Sequence, residues 1–283
     1  MRLANYHTHT DFCDGGNTAE EMVNAAIESG MTDLGFSAHA AWFFSTEWHM
    51  ASSRYAEYTD EIARLKEKHK KQITILCGFE ADYIPGITAP DPAFYARFSP
   101  DFLIGSVHYV LSDMKKKHAG LWSADASAEE VARGLEQCFE NDGKRAVQAY
   151  WRAVREMTET CSFDIIGHLD VIRKRNAALR FFDESASWYR RELALTAKAI
   201  ARSGKIVELN TGGLSRKAFD GIYPSDDLLA VLHAQGVPIT LSSDAHSASH
   251  LTFAYDKARE AAREAGYATL SYNTCGVWIQ EPF

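Results

Sequence analysis

The sequence predicts a parallel α/β fold, either an open sheet or a barrel, and three observations carry that expectation. Short, nearly uninterrupted apolar runs alternate with longer segments of helical period. No Pro- or Ser-rich linker and no break in composition divides the 283 residues, so a single domain over 1–283 is expected. Histidines and carboxylates recur directly beyond the apolar runs, on the rim where ligands bind in such folds.

Taken in order, Leu3–Tyr6 reads as a strand and Thr18–Ser29 as a helix. Thr18 with Glu21 three residues on forms a capping-box pattern, and Gly30 closes the helix. Asp33–Ser37 is a second strand, Arg54–Lys70 an exposed amphipathic helix, and Ile73–Phe79 a strand covered on both faces. Asp101–Val107, Phe163–Gly167, Ile206–Leu209 and Val237–Leu241 continue the strand series. Between and after them, Ala128–Glu140, Arg145–Thr160, Ser185–Ser203, Ser225–Gln235 and Ala254–Ala265 carry helical period. The segment 113–128 is polar and irregular, as expected of an insertion or lid.

Composition narrows the function classes. Hydrophobic residues at 46% and charged residues at 24% exclude a disordered chain. A formal charge of −8 argues against a nucleic-acid binder or a membrane-surface helix. Five scattered cysteines with no CxxC pair leave neither a disulfide framework nor a thiolate zinc site, and a reducing cytoplasm is expected. The amino terminus lacks a signal-peptide run, and no stretch reaches the roughly 18 apolar residues of a membrane span.

Six of the eleven histidines and three carboxylates follow strands. His7 and His9 stand in HTHTDFCD with Asp14 seven positions after His7, and residues at i and i+2 of an extended segment project to one side. His39 lies in FSAHA, Glu80 in GFEAD, His108 in GSVHY, His168 in GHLD, and Asp244 with His246 in LSSDAH. Any one of these alone is more often a satisfied core residue than a ligand. Together on one rim, imidazoles and carboxylates without thiolate suit zinc, manganese or iron. Nine ligands exceed one ion, so two or three divalent ions with a bridging carboxylate are expected. Closely spaced ions supply hydroxide near neutral pH and clamp attacking and leaving oxygens, pointing to hydrolysis of a phosphate ester.

These motifs, HTHTDFCDG through FSAHA, GFEADY, GSVHY, GHLD and ELNTGGLSRK to YPS and GVPITLSSDAH, resemble the polymerase-and-histidinol-phosphatase (PHP) superfamily. ELNTGGL and YPS favour its histidinol-phosphatase branch. The resemblance implies a distorted (β/α)7 barrel with a trinuclear site. By matching positions, His7, His9, Glu80 and Asp244 would hold one ion. Glu80 would bridge to a second held by His108 and His168, and Asp14, His39 and His246 would hold a third. The implied reaction converts L-histidinol phosphate and water to L-histidinol and phosphate. The stretch after GSVHY, LSDMKKKHAGLWSADAS, departs from the short segment the family carries there.

A phosphate dianion also requires cations. Arg173, Lys174 and Arg175 after His168, and Arg216 with Lys217 in LSRK, are the candidates, the arginines preferred for their bidentate fork. Asp244 and His246 are the candidates for protonating the leaving group. Asp82 and Asp170 are expected to support ligating imidazoles, and Asn210 to hydrogen-bond its strand end. His49, His69, His118, His233 and His250 receive no role, Cys13 and Cys77 are expected to pack, and Trp42, Phe43, Phe44 and Trp48 to pack a loop. The partner expected is a small phosphate monoester. The competing readings are a phosphoesterase for nucleotides and a catalytically silent metal-binding module.

Overall fold

Residues 2–40, 44–112 and 120–283 are described by the structure, a computed structural model. The strands are β1 (Ala4–Asn5), β2 (Asp33–Ala40), β3 (Thr74–Asp82), β4 (Phe102–Ser106), β5 (Tyr109–Leu111), β6 (Leu121–Ser123), β7 (Ile165–Ile166), β8 (Ile206–Asn210), β9 (Ile239–Ser242), β10 (Thr269–Thr274) and β11 (Val277–Pro282). Seven of them form one sheet in the order β1-β2-β3-β4-β7-β8-β9, every neighbouring pair parallel. The sheet curls into a nearly closed barrel. Thr8 and Ala245, just past β1 and β9, close the ring: the His9 amide donates to the Ala245 carbonyl at 2.9 Å and the Ala245 amide to the His7 carbonyl at 3.1 Å. The seam therefore runs through the segments that carry the candidate ligands.

The seven strands and seven helices expected from periodicity are found with shifted ends. Thr18 and Glu21 form a reciprocal cap on the helix Ala19–Glu28, and Gly30 takes φ of +74° after it. Ser127 and Glu130 cap the helix Ala128–Phe139 in the same way. The helix Gly143–Thr160 buries Val147, Tyr150, Trp151, Val154 and Met157, the spacing of one helical face turned to the barrel. No helix among the described residues is long and apolar enough to cross a membrane.

Two hairpins depart from expectation. Within 113–128, residues 113–119 lie outside the described residues, as do His118, Trp42 and Phe43. The remainder is ordered, not irregular: β6 pairs antiparallel with β5, and buried Trp122 donates to the Val131 carbonyl at 3.1 Å. After the last helix, Tyr255–Glu264, β10 and β11 form a hairpin beside β1: Arg2, before that strand, donates to the Asn273 carbonyl at 2.6 Å, and Tyr6, just past it, accepts from the Asn273 amide at 2.9 Å.

Candidate metal centre

Inward-facing positions of the barrel are polar near its carboxyl end. β2 and β3 pair with His39 opposite Glu80, so both side chains project inward at one height. Two residues on, Asp82 faces the same way one step nearer the rim. The strands are longer than the sequence suggested, so His39 and Glu80 stand inside them.

Glu80 is the hub. Its Oε2 lies 3.0 Å from His7 Nε2, 2.7 Å from His39 Nδ1 and 3.6 Å from His9 Nε2. Its Oε1 lies 2.9 Å from His168 Nε2 and 3.4 Å from His108 Nε2, and accepts from Ser106 Oγ at 2.7 Å. Asp244 Oδ1 is 3.2 Å from His9 Nε2 and 3.7 Å from His7 Nε2. Asp14 completes the ring at the mouth, 3.6 Å from His39 Nε2 and 3.1 Å from His246 Nε2.

All nine expected residues are thus brought together. Their donor atoms fall into overlapping groups, namely His9/Asp14/His39/His246, His7/His9/Glu80, His7/His168/Asp244 and Glu80/His108/His168. Their chemistry fits cations. His7 Nε2, His9 Nε2, His39 Nδ1 and Glu80 Oε2 are buried without a hydrogen-bond partner, yet converge on shared points. Unmade bonds on buried polar atoms are costly, and an ion among them removes that cost.

The surrounding charges set the protonation of this cluster. Burial, then the nearby His39 and His246, hold His9 well below its ordinary range, favouring the neutral ligating ring. Burial opposes ionisation of Asp244, but Arg216 and His7 outweigh it and hold the carboxyl well below its usual value. Burial, helped by Asp14, pushes the Cys13 thiol up to about 12, so it stays protonated 3.6 Å from His9 Nδ1.

Sequence reasoning missed Glu208 and His49. Glu208, inward on β8, accepts from the His168 amide at 2.6 Å and from Asn210 Nδ2 at 2.7 Å, and lies 2.9 Å from His7 Nδ1. The inward period-two pattern shared with Asn210 was the available signal. Asp82, expected as a support, is 2.6 Å from His108 Nδ1. Asp170 does not reach an imidazole: it accepts from the Ser225 amide at 2.9 Å and pairs with Arg173 at 3.3 Å.

A cavity of about 640 Å³ opens over this cluster, lined by Lys174, Arg175 and Arg216 together with Trp48, Tyr109, Asp125 and Tyr223. Lys174 pairs with Asp125 at 3.1 Å, and Arg175 donates to the Ala126 carbonyl at 2.6 Å. Arg216 grips Asp244, with Nη2 to Oδ2 at 2.8 Å and Nη1 to the carbonyl at 2.9 Å. Two of the five cations expected for phosphate are not brought there. Arg173 turns away to Glu184 at 2.6 Å, because buried Asp170 and Glu184 supply its counter-charge, and Lys217 is exposed with φ of +52°. His246 Nδ1 lies 2.8 Å from Arg216 Nη1 and 3.0 Å from the Asp244 carbonyl, so its tautomer decides whether it accepts or donates.

The chain is 28% identical over 273 residues to a protein of Deinococcus radiodurans named a probable histidinol-phosphatase, covering 95% of this chain and 96% of that one. Among solved structures it is similar to a candidate histidinol phosphatase of Listeria monocytogenes, with a TM-score of 0.79 at 23% identity over 90% of this chain and 99% of that one. It is also similar to histidinol phosphate phosphatase of Lactococcus lactis complexed with zinc, L-histidinol and phosphate, with a TM-score of 0.66 at 23% identity over 98% of this chain and 99% of that one. The family model for the PHP domain matches residues 5–212, from β1 past the carboxyl end of β8, and this chain belongs to that family.

Proposed function

We propose that this chain is a metal-dependent phosphatase that hydrolyses L-histidinol phosphate to L-histidinol and phosphate. The observation that carries the reading is the convergence of buried, unpartnered imidazole and carboxylate atoms on Glu80 beneath a cavity walled by Lys174, Arg175 and Arg216. The names of the Deinococcus and Lactococcus relatives support the substrate, and the zinc of the Lactococcus complex supports the metal.

His7, His9, Glu80 and Asp244 would hold one ion, Glu80 with His108 and His168 a second, and Asp14, His39 and His246 a third. Bound divalent ions supply Lewis-acid charge at phosphoryl oxygens and lower the pKa of water. The chain's own contribution is positioning. Arg216, fixed by Asp244, lines the cavity as a guanidinium. Lys174 and Arg175 add positive charge to the same cavity lining, where a phosphate dianion gains most from preorganised donors. Of the two groups expected to protonate the departing alkoxide, Asp244 is held ionised by Arg216 and His7 and would serve as a ligand, which leaves His246, beside Arg216, as the candidate acid. Trp48 and Tyr109, with rings nearly parallel at 6°, form an apolar wall suited to a flat imidazole.

Phosphate release from L-histidinol phosphate, nucleoside monophosphates and an aryl phosphate tests this reading. The first is expected to exceed the others in kcat/KM by at least about 100-fold, the scale that shape fit alone supplies before any directed hydrogen bond. Equal values would defeat the substrate assignment, and no turnover with any ester would defeat the phosphatase.

A further inference from the structure

His49 lies on the turn after β2, and its side chain is only 1% exposed. The Thr46 amide donates to His49 Nδ1 at 3.1 Å, with Thr46 Oγ1 at 2.7 Å from the same atom. A backbone amide can only donate, so Nδ1 carries the lone pair and the ring proton sits on Nε2. That Nε2–H donates to Asp82 Oδ2 at 2.6 Å. The other oxygen of Asp82 accepts from His108 Nδ1 at 2.6 Å, so in the neutral, ligating ring the lone pair is on His108 Nε2, 3.4 Å from Glu80 Oε1 and 3.1 Å from His168 Nε2.

Two imidazoles thus hold opposite oxygens of one buried carboxylate. A carboxylate with one partner turns about its terminal bond, whereas one with two partners has a fixed plane. The turn carrying His49 is itself pinned. The Met50 amide donates to the His39 carbonyl at 3.0 Å, and the Trp48 ring stacks on His49 at 3.7 Å.

We propose that His49 is a positioning residue that fixes Asp82 and thereby holds His108 in the tautomer whose Nε2 faces the metal centre. This rests on the metal-centre reading above. It extends the support of the centre one residue beyond the carboxylate that touches the imidazole, and it ties the loop after β2 to a ligand on the loop after β4.

The test compares zinc-loaded wild type with His49→Phe, His49→Gln, Asp82→Asn and the His49→Phe/Asp82→Asn double variant. Zinc per chain is read by atomic emission across a chelator titration, beside kcat, KM and the melting temperature of the stripped proteins. Removing a group that supports a ligand typically weakens metal binding about 10–100-fold, and that loss is expected for His49→Phe, with kcat falling and KM nearly constant. His49→Gln, whose amide nitrogen reaches the position of the lost donor, is expected to recover most of the binding. On the Asp82→Asn background His49→Phe is expected to add less than about twofold, because the route through Asp82 is already cut.

Wild-type zinc retention in His49→Phe would overturn the proposal. So would losses that multiply independently in the double variant, or a His49→Gln that fails like His49→Phe. Should His49→Phe not fold, His49→Asn takes its place with the same expected and overturning results. A wild-type chain that binds no zinc would defeat the metal-centre reading itself, whereas a zinc-bound wild type with indifferent His49 variants defeats this inference alone.

Discussion

Gly212 and Asp244 are in such close approach that a Cβ on the glycine would stand 2.8 Å from the Asp244 Cβ and 2.9 Å from its Oδ2. Asp244 holds φ of +50°, a left-handed conformation that costs a non-glycine residue roughly 1–2 kcal/mol. The carboxylate stays in place because Arg216 grips it from one side and Gly212 presents no side chain from the other. Gly212→Ala is expected to displace it and lower kcat/KM by about 100-fold, the scale of an ångström's misplacement in an active site. Steady-state kinetics with a thermal melt check this, and near wild-type activity would mean that the backbone yields cheaply.

Arg216 and Arg173 should separate cleanly, although both follow strand ends in basic runs. Arg216→Ala removes a cavity donor and leaves Asp244 without its charge partner, so kcat/KM is expected to fall by about 2–4 kcal/mol, shared between kcat and KM. Arg173→Ala leaves the cavity untouched but strips buried Asp170 of its cation, whose carboxyl burial already pushes up. Its expected signature is wild-type kinetics with about 2–4 kcal/mol lost from folding stability. Denaturant titration and kinetics on both variants would show whether the two effects fall on the opposite residues.

The sequence made the barrel legible because parallel strands covered on both faces read as continuous apolar runs such as ITILCGF, and caps such as Thr18/Glu21 mark helix starts. The centre was legible for a related reason: ligands on successive strand ends share one rim, so spacing along the chain reports proximity in space. What stayed hidden depends on side-chain direction. Arg173 and Lys174 are neighbours in sequence, yet one turns to Glu184 and the other reaches Asp125 at the cavity wall. His49 sits in a turn without period, and its partner Asp82 is 33 residues away in sequence. The carboxyl-terminal hairpin turns on Cys275 and Gly276, with φ of +53° and +84°, and cysteine replaces the Asn or Asp that usually announces such a turn.

That hairpin braces the end of the barrel opposite the metal centre. Trp278 packs edge-on against Tyr6 with ring centres 5.1 Å apart and donates from Nε1 to Asp164 Oδ1 at 3.0 Å. Trp278→Ala is expected to cost about 2–4 kcal/mol of stability, through lost aromatic burial and an orphaned carboxylate partner. Below its melting transition the variant should keep wild-type kcat and KM, since nothing at that end touches the cavity. A fall in kcat with stability unchanged would contradict this division between the two ends.

Metal removal should act on stability and activity together. With no ion bound, His7 Nε2, His9 Nε2, His39 Nδ1 and Glu80 Oε2 have no hydrogen-bond partner in the core, so folding must bear their desolvation. An ion that binds the native chain adds RT ln(1 + [L]/Kd), about 4 kcal/mol at a thousandfold excess over Kd. Dialysis against a strong chelator is therefore expected to abolish phosphate release and to lower the melting temperature by several degrees. Returning zinc, manganese or iron(II) singly is expected to restore both, with two to three ions per chain at full recovery, a number the overlapping groups around Glu80 could hold. Recovery complete at one ion would reduce the other groups to structural contacts, and activity that survives complete stripping would remove metal chemistry from the reaction.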